Sequence, residues 1–394
     1  MAKRNIGWWG IILVGLLSRT DSQDLVIKPE AAKLHRQAVV FDAHADTPLR
    51  LKEKQFDISL RNDFGHIDIP RLIEGGVDVQ VFAIYFNPKL AEEKAVRLTL
   101  DYIDLISRTI EANRNHLELA LSAPDVTTIN QRHKTAIVMG LEGGYAIAGD
   151  LGILRQYYKL GVRYMTLTWM NSHEWADAST DTVRWGGLND FGREVIREMN
   201  RLGMLIDLSH ASDETFWDVL EITQKPIIAS HSCCRTLCPH ERNLSDDMLI
   251  ALARNGGVIG INYYPGYLDS SYLKISQENS RLLKPMLDEL NTKYPNHDDL
   301  YYQEREKLYE PYKGRLPVVA IDRVIDHIDH VVKVAGIDHV GLGSDFDGIS
   351  ITPLGLKDVS CLPIITQKLM ERGYKDHEIK KIMGGNFMRV FSQL

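Results

Sequence analysis

Cysteine is scarce in this sequence. Four occur in 394 residues, three of them clustered as Cys233-Cys234-x3-Cys238 with Cys361 far away, which excludes a disulfide-built scaffold. Buried free thiols are the expected state; one bridge within the cluster and a Cys-based zinc site are the alternatives, the latter lacking a second Cys pair. Basic clusters are missing as well, and the net charge is −7, so no nucleic-acid partner is expected. No G-x-G-x-x-G or phosphate loop follows any strand-like run, which argues against a nucleotide-binding fold. Long apolar runs are also lacking. The N-terminal one, Ile6 to Leu17, falls short of the roughly 20 residues that span a bilayer.

That run follows Lys3 and Arg4 and precedes the polar Ser18-Arg19-Thr20-Asp21-Ser22-Gln23, the order of a signal peptide. The expectation is an exported protein, periplasmic or secreted, cut near Ser22. An uncleaved leader, holding the chain at a membrane, is the alternative. No Cys follows the apolar run, and the C-terminus ends in Phe387-Met388-Arg389-Val390-Phe391-Ser392-Gln393-Leu394. Neither lipid attachment nor a lipid-anchor signal is expected.

Beyond the leader, short β-branched runs recur at Val39–Phe41, Val77–Tyr85, Thr135–Leu141, Arg163–Thr168, Met204–Leu208, Pro226–Ser230, Val258–Asn262 and His339–Gly343. They lack polar alternation, as strands buried on both faces do. Between them lie segments with apolar spacing near 3.6, namely Ala95–Asn113, Gly149–Leu160, Asp190–Leu202, Ser212–Ile222, Ser245–Asn255 and Ile321–Ala335. Gly161, Gly203, Gly256 and Gly336 close several of them. Strands alternating with helices imply parallel pairing, and eight strands predict a closed (β/α)8 barrel, one catalytic domain over residues 30–394. Two stretches break the rhythm: a Trp- and Asp-rich loop at Asn171–Gly187, and a charged insertion at about 265–317 with helical pieces such as Ser276–Lys293. The insertion reads as a lid, a dimer element or a solvated excursion.

The strand ends carry the chemistry. Val39-Val40-Phe41 runs into His44-x-Asp46, whose side chains share one face of an extended strand. Strand three ends in Glu142-Gly143-Gly144, strand five in Asp207-Leu208-Ser209-His210, strand six in Ser230-His231-Ser232 and strand eight in Ser344-Asp345-Phe346-Asp347. Each alone reads as a turn or cap. Five strand ends bearing metal-ligand types converge where a barrel builds its active site. Three His and several carboxylates exceed the needs of one zinc, and two metals sharing Glu142 fit the count better. Asp42 is expected to orient a ligand and Asp347 to fix its loop. His327 and His330, three apart in an Asp-rich helix, read as a solvated face rather than as ligands.

Taken in order, DAHAD, LEGG, RLGMLIDLSHAS, IIASHS, HERN (His240–Asn243), GLGSDFDG and GGNFMRVF resemble the membrane (renal) dipeptidase family of zinc metallopeptidases. The resemblance covers about Val39 to Phe391. It implies a TIM barrel of the metal-dependent amidohydrolase type and two Zn2+ per chain. On it, His44 and Asp46 hold one zinc, Glu142 bridges, and His210 and His231 hold the other. Asp345 matches the catalytic aspartate, Arg242 the residue holding a dipeptide's carboxylate, and Tyr264, beside Tyr263, a substrate-facing tyrosine. Small dipeptides, L-L and L-D, are the implied substrates, and a homodimer the implied assembly. A planar guanidinium suits a carboxylate, and Asp345 suits transfer of a water proton to the leaving amine.

One departure matters. Many members of the family have a Leu-Thr-His run after strand four; this chain has Leu167-Thr168-Trp169. An indole donates one N–H and shuttles no proton. His173, in the same loop, is a candidate substitute, with an exposed loop histidine as the alternative. The rival functions are another hydrolase on the same barrel, such as a lactonase or phosphoesterase, and a non-catalytic binding protein.

Overall fold

The computed structural model describes residues 26–86, 92–294 and 298–394, so the expected leader at residues 1–22 lies outside the described residues. Eight parallel strands form the predicted barrel. They are β1 (Phe41–Asp42), β2 (Val79–Ile84), β3 (Thr135–Glu142), β4 (Val162–Thr166), β5 (Leu205–Asp207), β6 (Ile228–Ser232), β7 (Val258–Ile261) and β8 (Val340–Leu342). Neighbours in sequence pair around the ring, β8 pairs with β1 through Leu342 and Asp42, and β2 joins β3 from Val79–Ala136 to Ile84–Leu141. A closed ring leaves no barrel edge to protect. A ninth strand, Leu117–Leu119, pairs with the start of β3 outside the ring. The sequence reading missed it, because three residues are too few to set a period.

The helices follow the periodic segments closely. Asp190–Leu202 has the predicted bounds, while Ser212 and Ser245 stand just outside their helices and accept hydrogen bonds from Thr215 N and Met248 N. These caps satisfy amide groups that a helix start leaves unpaired. Gly203 and Gly256 end their helices at φ +78° and +83°, a left-handed backbone that glycine adopts without steric penalty.

The barrel floor explains the last motif of the sequence. The C-terminal helix Asn386–Phe391 lies under the starts of the strands, with Phe387 stacked on Phe41 at 5.3 Å and Phe391 edge-on to it at 6.3 Å. Val81, Val138, Leu205, Ile228 and Val258 complete this apolar layer. The interior below the strand ends is therefore packed and dry.

The insertion after β7 is a helical hairpin of Ser270–Lys293 and Asp298–Lys313. Its first helix begins earlier than Ser276 because Asp269 caps it, accepting from Ser271 N and Tyr272 N. The reading of His327 is corrected here. His330 lies near the surface and pairs with Asp246 at 2.7 Å, but His327 is fully buried. Its Nδ1 accepts from Cys234 N at 3.0 Å and its Nε2 donates to Leu268 O at 2.9 Å. A three-residue step sets the two rings about 60° apart around the helix, which puts His327 inside the packed face and His330 at its edge. All four cysteines are free thiols, the clustered three buried.

Candidate metal centre and its relatives

The predicted ligands meet at the carboxyl end of the barrel. His44 follows β1, Glu142 ends β3, His210 follows β5 and His231 lies in β6. Glu142 Oε1 is 3.0 Å from His210 Nε2, 3.3 Å from His231 Nε2 and 3.7 Å from His44 Nε2. His44 Nε2 is 3.8 Å from Asp46 Oδ1, and the Nε2 atoms of His210 and His231 are 3.0 Å apart. His44, Glu142 and His231 present ligand atoms within 4.8 Å of one another, as do His44, Asp46 and Asp345. Two ligands bound to one tetrahedral zinc at about 2.0–2.1 Å stand roughly 3.3 Å apart. The donor atoms are spaced accordingly.

The electrostatics call for a cation. Burial pushes His44 down to about 3 and His210 and His231 well below the usual imidazole range, which keeps their lone pairs available. Burial also pushes Asp46 and Glu142 well above the usual carboxylate range, reinforced by Asp345 in both cases. His44 Nε2, Asp46 Oδ1 and His210 Nδ1 are buried without a hydrogen-bond partner. Such orphaned groups are costly in a protein interior. A divalent cation would satisfy both the charge and the lone pairs, and imidazole with carboxylate is a donor set that zinc accepts.

The backbone is strained at the same place. His210 and Asp345 have φ of +71° and +60°, a left-handed region that non-glycine residues seldom occupy. Asp345 N donates to His44 O at 3.1 Å, while its Oδ2 accepts from Asn262 Nδ2 at 2.9 Å. Surrounding protein pushes its carboxyl up to about 6. Gly348 allows this arrangement, since a Cβ there would lie 2.6 Å from Asp345 Oδ1 and still nearer Asp46.

Arg242 is buried and makes no ion pair among the described residues. Its Nη2 donates to His231 O at 3.1 Å and its Nη1 to Ser232 Oγ at 3.3 Å, and its Nε has no partner. Tyr267, at the root of the hairpin, lies 5.4 Å from the guanidinium. Tyr264 packs edge-on against Tyr267, while Tyr263 is fully buried against Phe346. The half-buried Tyr264 is thus the one of the pair on the Arg242 side. Trp169 stands 6.3 Å from the His210 ring and 4.6 Å from Tyr85. His173 is neither exposed nor joined to these groups. It is buried in its loop, with Nε2 donating to Leu167 O at 2.9 Å and its ring 4.7 Å from Trp175.

Several supporting residues escaped the sequence reading. Tyr164 hydroxyl contacts His44 Nδ1 at 2.9 Å, and Asn262 ties Asp345 to Tyr264 N at 2.6 Å. Both sit in apolar strand runs, where a single inward polar residue was the available signal. Asp42 does not touch a ligand side chain; it accepts from Ser344 N, Ser344 Oγ and Gln80 Nε2 and so anchors the strand end that carries Asp345. Asp347 fixes its loop as expected, accepting from Thr47 Oγ1 and His66 N.

Comparison with known proteins agrees with this geometry. Residues 28–394 match the family described as membrane dipeptidase (peptidase family M19). Dipeptidase 3 of Mus musculus is 34% identical over 378 residues, covering 93% of this chain and 67% of its own. An uncharacterized dipeptidase of Schizosaccharomyces pombe is 36% identical over 384 residues, 91% of this chain and 81% of its own. The crystal structure of the probable dipeptidase PvdM from Pseudomonas aeruginosa superposes with a TM-score of 0.80 at 26% identity, over 92% of this chain and 97% of that one. A metallopeptidase of Rhodobacter sphaeroides, liganded with a phosphinate mimic of the dipeptide L-Ala-D-Ala, gives 0.74 at 25% identity, over 90% and 99%. The chain belongs to the membrane dipeptidase family of metallopeptidases.

Proposed function

We propose that this protein is a zinc-dependent dipeptidase whose site would hold two ions, His44, Asp46 and Glu142 offering ligands to one and Glu142, His210 and His231 to the other. When bound, the ions polarise the scissile carbonyl and lower the pKa of water. The observation that carries the substrate class is Arg242, a buried guanidinium with no ion pair among the described residues and an unpartnered Nε. A buried charge left unpaired is unfavourable, and a planar carboxylate of a bound ligand would satisfy it with two parallel hydrogen bonds. Arg242 therefore fixes the free C-terminus of a dipeptide, and Tyr264 borders the same pocket.

Asp345 accepts a proton from the attacking water and returns it to the leaving amine. Its Asn262 contact occupies Oδ2, which leaves Oδ1 for the proton, and a carboxyl near 6 exchanges protons readily near neutrality. Trp169 forms an apolar wall beside His210 with Tyr85, so it selects substrate side chains without moving protons. His173 shapes that wall from beneath by holding the loop. The phosphinate mimic bound by the Rhodobacter relative supports including L-D dipeptides in the range.

The leader pattern supports export, with membrane attachment where it is retained. Among the described residues no helix is long and apolar enough to cross a membrane. A homodimer is part of the same proposal. Zinc-loaded protein assayed on L-L and L-D dipeptides, lactones and phosphodiesters tests the function. Turnover confined to dipeptides is expected; turnover of lactones alone, or none, would overturn it.

A further inference from the structure

Two of the imidazoles at the metal centre are held from behind by hydroxyl groups, Ser230 behind His231 and Tyr164 behind His44. Behind His231, Ser230 Oγ donates its single proton to Asp207 Oδ2 at 2.6 Å, so the 2.8 Å contact with His231 Nδ1 requires the imidazole N–H to donate. Behind His44 stands Tyr164, from the interior of β4. Its hydroxyl has a single proton; given to Ala43 O at 3.2 Å, it leaves the 2.9 Å contact with His44 Nδ1 to the ring N–H as donor. In each ring this places the proton on Nδ1 and the lone pair on Nε2.

We propose that Tyr164 is a positioning residue that fixes the tautomer and orientation of His44, and that Gly140 of β3 holds Tyr164 in place. The argument rests on the metal-centre reading above. Tyr164 is fully buried, and its ring lies so close to Gly140 that a Cβ there would stand 2.6 Å from Cε2 and 2.7 Å from the hydroxyl. The ring thus packs directly on the Gly140 backbone, and any side chain at 140 would push the hydroxyl off His44. With Nδ1 occupied, His44 Nε2 faces Glu142 Oε1 at 3.7 Å and Asp46 Oδ1 at 3.8 Å. Hydrogen-bond partners behind a metal-binding imidazole typically change metal affinity about 10–100-fold. The residue in direct contact differs, Tyr164 for His44 and Ser230 for His231, although Tyr164 also reaches Ser230, so the larger effect of Tyr164 falls on the ion held by His44 and Asp46.

The test is zinc uptake by metal-stripped protein, titrated against a chromophoric chelator so that two affinities are resolved. In Tyr164→Phe, which keeps the ring on Gly140, one affinity falls about 10–100-fold and the other falls by less. The apoprotein's thermal midpoint stays near the parent value, and the nitrogen NMR shifts of His44 in apoprotein change from a single Nδ1–H tautomer to a mixture. Gly140→Ala is expected to give the same selective loss. Two unchanged affinities in Tyr164→Phe would overturn the inference, as would a joint fall of both with a lowered apoprotein midpoint. A parent protein that takes up no zinc would instead overturn the metal reading on which it rests.

Discussion

Where the barrel strands begin, Phe41, Phe387 and Phe391 stack over a layer of Val, Leu and Ile. Where they end, three imidazoles and three carboxylates crowd together with unpartnered atoms and left-handed backbone. The same eight strands build both ends, so the difference lies in the side chains and the loop backbone placed at each end. One end is favourable as it stands, because apolar surface leaves water and packs. The other is unfavourable without a cation, because buried charge lacks its counter-charge. Stability and function are thus separated along the barrel axis, and substitutions at the two ends should have different signatures.

The largest effect is expected at the carboxyl end. Asp345→Asn keeps the shape of the side chain and removes its capacity to accept a proton, so dipeptide turnover should fall by about 10²–10⁴-fold, with zinc content unchanged by metal analysis. Joint loss of metal and turnover would make Asp345 a ligand first. At the opposite end Phe387→Ala should leave zinc content and turnover at the assay temperature unchanged and lower unfolding free energy by about 3–5 kcal/mol, measured by urea denaturation. An equal fall in turnover of folded protein would erase the distinction between the ends.

A smaller effect comes from His327, in the helix Asp322–Val334. Burial lowers its pKa to about 4, below the roughly 6.5 of an unfolded histidine. The unfolded chain therefore takes up a proton that the folded chain refuses as pH falls from about 6.5 to 4, and stability declines across that window by up to about 1.4 kcal/mol per pH unit. Urea midpoints of parent and His327→Gln should converge as pH falls. Parallel curves would contradict the assignment.

The barrel was legible because doubly buried parallel strands leave β-branched runs that few other structures produce. The clustered side chains were legible as candidate ligands because each follows such a run: His44 two residues beyond β1, Glu142 at the end of β3, His231 within β6. Burial of His327 was not legible, since an Asp-rich helix gives the same pattern whether one of its histidines faces a loop backbone or water. Tyr164 and Asn262 were hidden for a related reason. A polar residue inside an apolar strand reveals its partner only when strands far apart in sequence are closed into a ring. The Cys cluster shows the reverse case, where composition already excluded a scaffold and folding added only that the thiols face backbone carbonyls, Cys233 that of Asn262 at 3.3 Å and Cys238 that of Gly266 at 3.4 Å.

Metal content tests the central claim most directly. Protein purified, stripped and reloaded with zinc should hold about two ions per chain and hydrolyse dipeptides. His210→Ala should hold about one ion and lose that turnover. Stoichiometry near zero in the parent, or dipeptide hydrolysis that survives complete removal of metal, would contradict the account.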